Sequence, residues 1–125
     1  MDGDDRRALV EEWFRRYNDH DLDGCYELCA DDLRLAGQIT AEGKEAARAL
    51  DEQFFAALPD HRRRIDKILV SGDTVAVWVT FGATPIATDV PLEFEFCDVI
   101  QVRDGRISSV TILADWDAVL PKLAH

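Results

Sequence analysis

After Pro59 the hydrophobic period of this chain changes from helical to alternating, and that change restricts the fold more than any other feature. Before it, apolar residues recur at helical spacing: Leu9, Val10, Trp13, Phe14 and Tyr17, then Leu22, Cys25, Tyr26 and Cys29, then Leu50, Phe54 and Leu58. After it they alternate with polar residues, in RRIDKILV, in TVAVWVTFGA, and in two segments joined at Asp104-Gly105. A first helix is expected to stop in NDHD. A second, capped by Asp21 or Asp23, should end at Asp31 and Asp32. A third spans 43–58, where Pro59 blocks continuation. The extended piece LRLAG lies between the last two, and WDAVLPKL forms a short closing helix. Helices followed by an antiparallel meander predict an α+β fold in which the helices cover one face of a curved sheet.

Charge limits the partners. Lys and Arg total 14 against 25 Asp and Glu, a formal charge of −11. Such a surface repels phosphate backbones and anionic membranes, so neither nucleic acid nor membrane is expected as a partner. The only basic run, Arg62, Arg63 and Arg64, reads as the solvated start of a strand. With 125 residues, no bilayer-length apolar run and the acidic opening MDGDDRR, the chain reads as one cytoplasmic domain, 1–125. Its three cysteines suit a reducing compartment. Cys25 and Cys29 share a helical face, but without a second ligand pair they read as small core hydrophobes, and no metal is expected.

One residue breaks the strand pattern. In EFEFCDVIQVRDG, alternation places Asp98 on one side with Phe94, Phe96, Ile100 and Val102. An ionised carboxylate in an apolar row costs several kcal/mol or more unless it is paired, protonated or open to a cavity. A two-residue turn at Asp104-Gly105 pairs Arg103 with Arg106. An uninterrupted ladder then sets Asp98 against Thr111, Phe96 against Leu113 and Phe94 against Asp115, so that two acids share one wall about 13 Å apart along a flat strand. A β-bulge between them would change this register.

YNDHDLDGCYELCADDLRLAG, GKEAARAL with FFAALPD, FCDVIQVRDGRI and the closing ADW resemble the NTF2-like superfamily, nearest the SnoaL-like polyketide cyclases and the ketosteroid isomerases. The resemblance covers nearly the whole chain. It implies a cone whose bent sheet wraps a deep pocket closed by helices, a fold that hosts isomerases, cyclases, epoxide hydrolases, dehydratases and plain binders. By this resemblance Asp98 matches the protonated oxyanion-hole aspartate of ketosteroid isomerase and the acid/base aspartate of SnoaL-like cyclases. Asp115, before Trp116, matches the water-activating aspartate of limonene epoxide hydrolase. Other positions depart from the pattern. The isomerase's oxyanion tyrosine falls at Trp13, whose indole N–H donates but relays no proton, and its general base falls at Gly37. The arginine that epoxide hydrolases place beside their acid is Phe96 here, and Arg34 should point away from Leu33 and Leu35.

These features imply a cofactor-free enzyme doing acid/base chemistry on a hydrophobic small molecule, with cyclisation or isomerisation of a polyketide-like intermediate as the favoured reaction. Asp98 and Asp115 are the candidate catalytic residues. Trp13, Tyr17, Leu35, Phe54, Phe81, Phe94, Phe96, Thr111 and Leu113 are the candidate substrate-binding wall. Epoxide opening of the limonene epoxide hydrolase type, with Asp115 activating water, and non-catalytic binding are the alternatives. Each acid also has a structural reading: Asp98 bonded to Thr111 or a helix-1 side chain, Asp115 as the cap of the last helix. His20 reads as a surface or capping residue. A homodimer is expected through the outer sheet face, where Cys97, Val99 and Val110 would form the apolar centre.

Overall fold

The computed structural model describes residues 1–37 and 39–123. Helix α1, Gly3–Asn18, starts in a capping box: Asp2 accepts from the Asp5 amide at 2.9 Å and Asp5 accepts from the Asp2 amide at 3.1 Å. Val10, Trp13, Phe14 and Tyr17 form its buried stripe. Asp21 caps α2, Leu22–Glu27, by accepting from the Gly24 amide at 2.9 Å. This helix stops short of Asp31 and Asp32. The backbone turns extended because Ile107 donates to the Leu28 carbonyl at 2.9 Å, and strand β1, Cys29–Gly37, begins there. Cys29 is thus the first strand residue rather than a helical one, buried all the same.

A two-residue strand β2, Ala41–Glu42, precedes α3, Lys44–Ala57, which ends before Pro59 as expected. The remaining strands are β3, Arg62–Ser71, β4, Thr74–Ala83, β5, Leu92–Arg103, and β6, Arg106–Leu113, followed by α4, Trp116–Leu123. They form one curved, six-stranded sheet in the order β2-β1-β6-β5-β4-β3. The meander is antiparallel as predicted, but β1 runs parallel to β6. A parallel neighbour needs a long crossover, and α3 with the meander supplies it. No described helix is long and apolar enough to cross a membrane.

The β5–β6 hairpin decides which side chains face inward. Asp104 and Gly105 both adopt positive φ, 53° and 74°, the geometry of a two-residue turn, and Arg103 pairs with Arg106. One residue later the ladder slips. Val102 pairs with Ile107 but Gln101 pairs with Ser109, which leaves Ser108 as the extra residue of a bulge. Its hydroxyl donates to the Gln101 carbonyl at 3.1 Å, supplying a partner beside the interrupted ladder. Asp98 consequently faces Ile112, not Thr111; Cys97 faces Leu113, and Val99 faces Thr111. Every β6 side chain beyond the bulge is exchanged between faces. Val110, expected outside, is buried inside, and Leu113, expected inside, is exposed.

Candidate active site

Between the concave face of the sheet and the helices lies a cavity of about 430 Å³. Helix α1 contributes Trp13 and Tyr17 to its wall, one turn apart; α3 contributes Leu50, Asp51 and Phe54; the sheet contributes Leu33, Leu35, Arg63, Phe81, Phe94, Phe96, Asp98, Val110 and Ile112. The aromatic rings form a continuous surface, with Phe81 5.0 Å from Phe94 and 5.5 Å from Phe54 between centroids. Of the candidate wall residues, Trp13, Tyr17, Leu35, Phe54, Phe81, Phe94 and Phe96 come together here. Thr111 and Leu113 do not, because the bulge at Ser108 turns both to the other face.

Asp98 is 5% exposed, and its Oδ1 has no hydrogen-bond partner among the described residues. The bond to Thr111 that a structural role called for is absent, since Thr111 lies on the opposite face. Burial pushes the carboxyl up to about 7; the Arg63 guanidinium opposes that rise and the Asp51 carboxylate adds to it. The carboxylic acid and carboxylate are therefore both populated near neutral pH.

Asp115 is placed elsewhere. It is exposed, outside the cavity wall, and caps α4: the Ala118 amide donates to its Oδ1 at 3.3 Å and the Val119 amide to its carbonyl at 3.0 Å. The two acids consequently do not flank a common space. Gly37, where the isomerase has its base, adopts φ of +105°, and a Cβ there would lie 2.9 Å from the Ile112 carbonyl oxygen. The tight strand pairing leaves no room for a side chain at that position. Trp13 lines the cavity, but its buried indole N–H has no hydrogen-bond partner among the described residues. Arg34 is exposed and bridges to Glu42 at 3.2 Å. His20, also exposed, donates to the His61 carbonyl at 2.8 Å and stacks on the His61 ring.

Three polar residues of the wall, Tyr26, Asp51 and Arg63, were not among the candidates. Tyr17 and Tyr26 both donate to Oδ2 of Asp51, each at 2.5 Å, so one carboxylate ties α1, α2 and α3 together. Burial, reinforced by that negative charge, drives both phenols far above their ordinary range. Arg63 departs from the solvated reading of its run: Arg62 and Arg64 are exposed, but Arg63 is half-buried, with its guanidinium carbon 4.3 Å from the centroid of Tyr17. Signals existed for both Asp51 and Arg63. Asp51 lies three residues before Phe54 on the apolar stripe of α3, and Arg63 alternates in phase with Ile65. No three His, Cys, Asp or Glu side chains among the described residues gather as a metal site.

Residues 10–110 match the family model of the SnoaL-like domain. No curated protein matches the sequence. In structure the chain is similar to an NTF2-like protein of unknown function from Burkholderia pseudomallei K96243, with a TM-score of 0.89, 18% identity and 100% of each chain covered. It is similar to a candidate SnoaL-like polyketide cyclase from Jannaschia sp. CCS1, with a TM-score of 0.84, 18% identity and 97% of this chain and 92% of that one covered. TerC, co-crystallised with polyporic acid, has a TM-score of 0.85 at 16% identity, covering 95% of this chain and 98% of its own. These likenesses establish the cone fold.

Proposed function

The chain belongs to the SnoaL-like domain family, and on that basis we propose that its cavity is the active site of an acid/base enzyme acting on a hydrophobic small molecule, with Asp98 exchanging the proton. The observation that carries this reading is the buried Asp98 carboxyl on the cavity wall, its Oδ1 without a partner among the described residues and its pKa raised to about 7. A group whose pKa lies near the working pH both takes and returns a proton, which favours general acid/base catalysis. The favoured reaction is cyclisation or isomerisation of a polyketide-like intermediate. The carboxylate removes a proton from carbon beside a carbonyl, or the acid donates to the oxygen of an acceptor carbonyl, while the rings of Phe81, Phe94 and Phe96 hold the reactive conformer. TerC, whose crystals contained polyporic acid, supports a small organic ligand in this kind of cone.

Epoxide opening relied on Asp115 as the base that activates water. With that residue capping α4 away from the cavity, no observation favours it. Proton exchange distinguishes catalysis from simple binding. In D2O the protein should accelerate exchange at the α-carbons of 2-tetralone, a hydrophobic enolisable ketone, and Asp98→Asn should reduce that acceleration by about 10²–10⁴-fold. An Asp98→Asn protein with undiminished exchange would sink the assignment.

The same reading includes a homodimer formed through the outer sheet face. Leu69, Trp78 and Leu113 are exposed there, beside Cys97 and Val99, and the bulge makes Leu113 rather than Val110 part of this patch.

A further inference from the structure

Arg63 is the one cation among the described residues of the cavity wall. Its guanidinium lies over rings, 4.3 Å from the centroid of Tyr17 and 5.3 Å from that of Phe81, and among the described residues donates to a single side chain, His61 Nδ1 at 3.4 Å. That imidazole is buried and neutral at ordinary pH, its pKa lowered to about 4 by burial and by Arg63 itself. Among the described residues Arg63 has no carboxylate partner, although Arg62 and Arg64 flank it and the chain carries 25 acids. Asp51, the other charged group on this part of the wall, has its Oδ2 occupied by two phenols. Stacking on aromatic faces holds the guanidinium in place and leaves the planar edge, with its fork of N–H donors, open to an anion.

Strand register separates the backbones of Arg63 and Asp98, although the Arg63 guanidinium still acts on the Asp98 carboxyl within the cavity. Arg63 pairs with Phe81 and Phe81 with Phe94, forming one rung across the sheet; Asp98 belongs to the rung of Val77 and Ile112, four residues along β5. On a flat strand that offset is about 13 Å, and less where the sheet bends. A ligand bound between the rungs would have one end at the guanidinium and the other at the acid.

We infer that Arg63 is a specificity-determining residue that binds an anionic group, a carboxylate or an acidic enol, at one end of an elongated hydrophobic ligand whose other end meets Asp98. The inference rests on the reading of the cavity as a ligand site and narrows its ligand class from hydrophobic small molecules to acidic ones. The guanidinium supplies two parallel donors to a carboxylate, and water is excluded on its ring-covered face, so the charge contact is stronger than at an open surface.

The test uses two probes of one shape, 2-naphthoate and 2-naphthamide, titrated calorimetrically at pH 6, where Asp98 is mostly protonated and does not repel an anion. The wild-type protein should bind the naphthoate at least 10-fold more tightly than the amide. Arg63→Gln should abolish that preference while leaving amide affinity within about twofold, and Arg63→Lys, which keeps the charge but not the fork, should retain part of it. Equal wild-type affinity for the two probes overturns the role of Arg63 and leaves the cavity a ligand site. An Arg63→Gln protein that keeps the preference, or that loses amide binding as well, also overturns it. Failure of both probes to bind overturns the inference together with the reading of the cavity beneath it.

Discussion

Asp98 holds its proton toward neutral pH because burial strips the carboxylate form of its hydration. Its sign in the stability balance follows. The native state binds this proton more tightly than the unfolded chain, so the contribution is complete below the ordinary aspartate value and is lost as pH rises through about 7. His61 works in the opposite direction: its lowered pKa makes the native state gain stability as pH rises from about 4 toward the usual histidine value. Wild-type stability therefore mixes the two trends, and Asp98→Asn isolates one. The unfolding free energy of the variant relative to wild type, measured in urea, should rise between pH 4 and pH 7 and level off above, with a total on the order of a few kcal/mol. A difference that does not vary with pH would mean the carboxyl is not desolvated. Carbon-detected NMR of the same carboxyl should give a midpoint near 7.

Between elements, side-chain hydrogen bonds supply links that backbone ladders do not. Asp51 joins α3 to α1 and α2 through Tyr17 and Tyr26, both buried. Asp51→Ala would strand two phenols, and a loss of about 2–4 kcal/mol in chemical denaturation is expected, larger than for either Tyr→Phe change alone. Asp115 acts within one element. Asp115→Ala should cost about 1 kcal/mol through the lost cap of α4 while proton exchange on 2-tetralone stays unchanged. A large loss of exchange would return Asp115 to the catalytic machinery.

For the whole molecule, the patch of Leu69, Trp78 and Leu113 bears on assembly. Trp78 lies near its middle, paired with Lys67 on one side and Cys97 on the other. Sedimentation should give a dimer at micromolar concentration, and Trp78→Lys should shift it to monomer without unfolding, since a charge is tolerated on a free surface but not in an apolar interface. A wild-type monomer would remove the outer-face dimer.

Elements governed by local chemistry were legible in the chain alone. Period, capping acids and breakers marked α1, α3 and the meander, and the lone acid among Phe94, Phe96 and Ile100 marked Asp98, because burial of a charge is costly wherever it occurs. The Asp104-Gly105 turn was equally legible, since two positive φ values restrict its residues. Packing in three dimensions settled the rest. The slip at Ser108 has no strong local signature; it lies where β6 pairs with both β5 and the parallel β1, and it exchanged Thr111 and Leu113 for Val110 and Ile112 on the cavity wall. The end of α2 was set by the same strand, through the Ile107 amide. Asp51 and Arg63 had acceptable solvated readings on their own segments, and only the packing of α3 and β3 over the sheet brought them to the cavity. Spacing along one chain reports which side a residue shares with its neighbours, but the partner across a ladder or a helix contact is chosen by the packing of the whole.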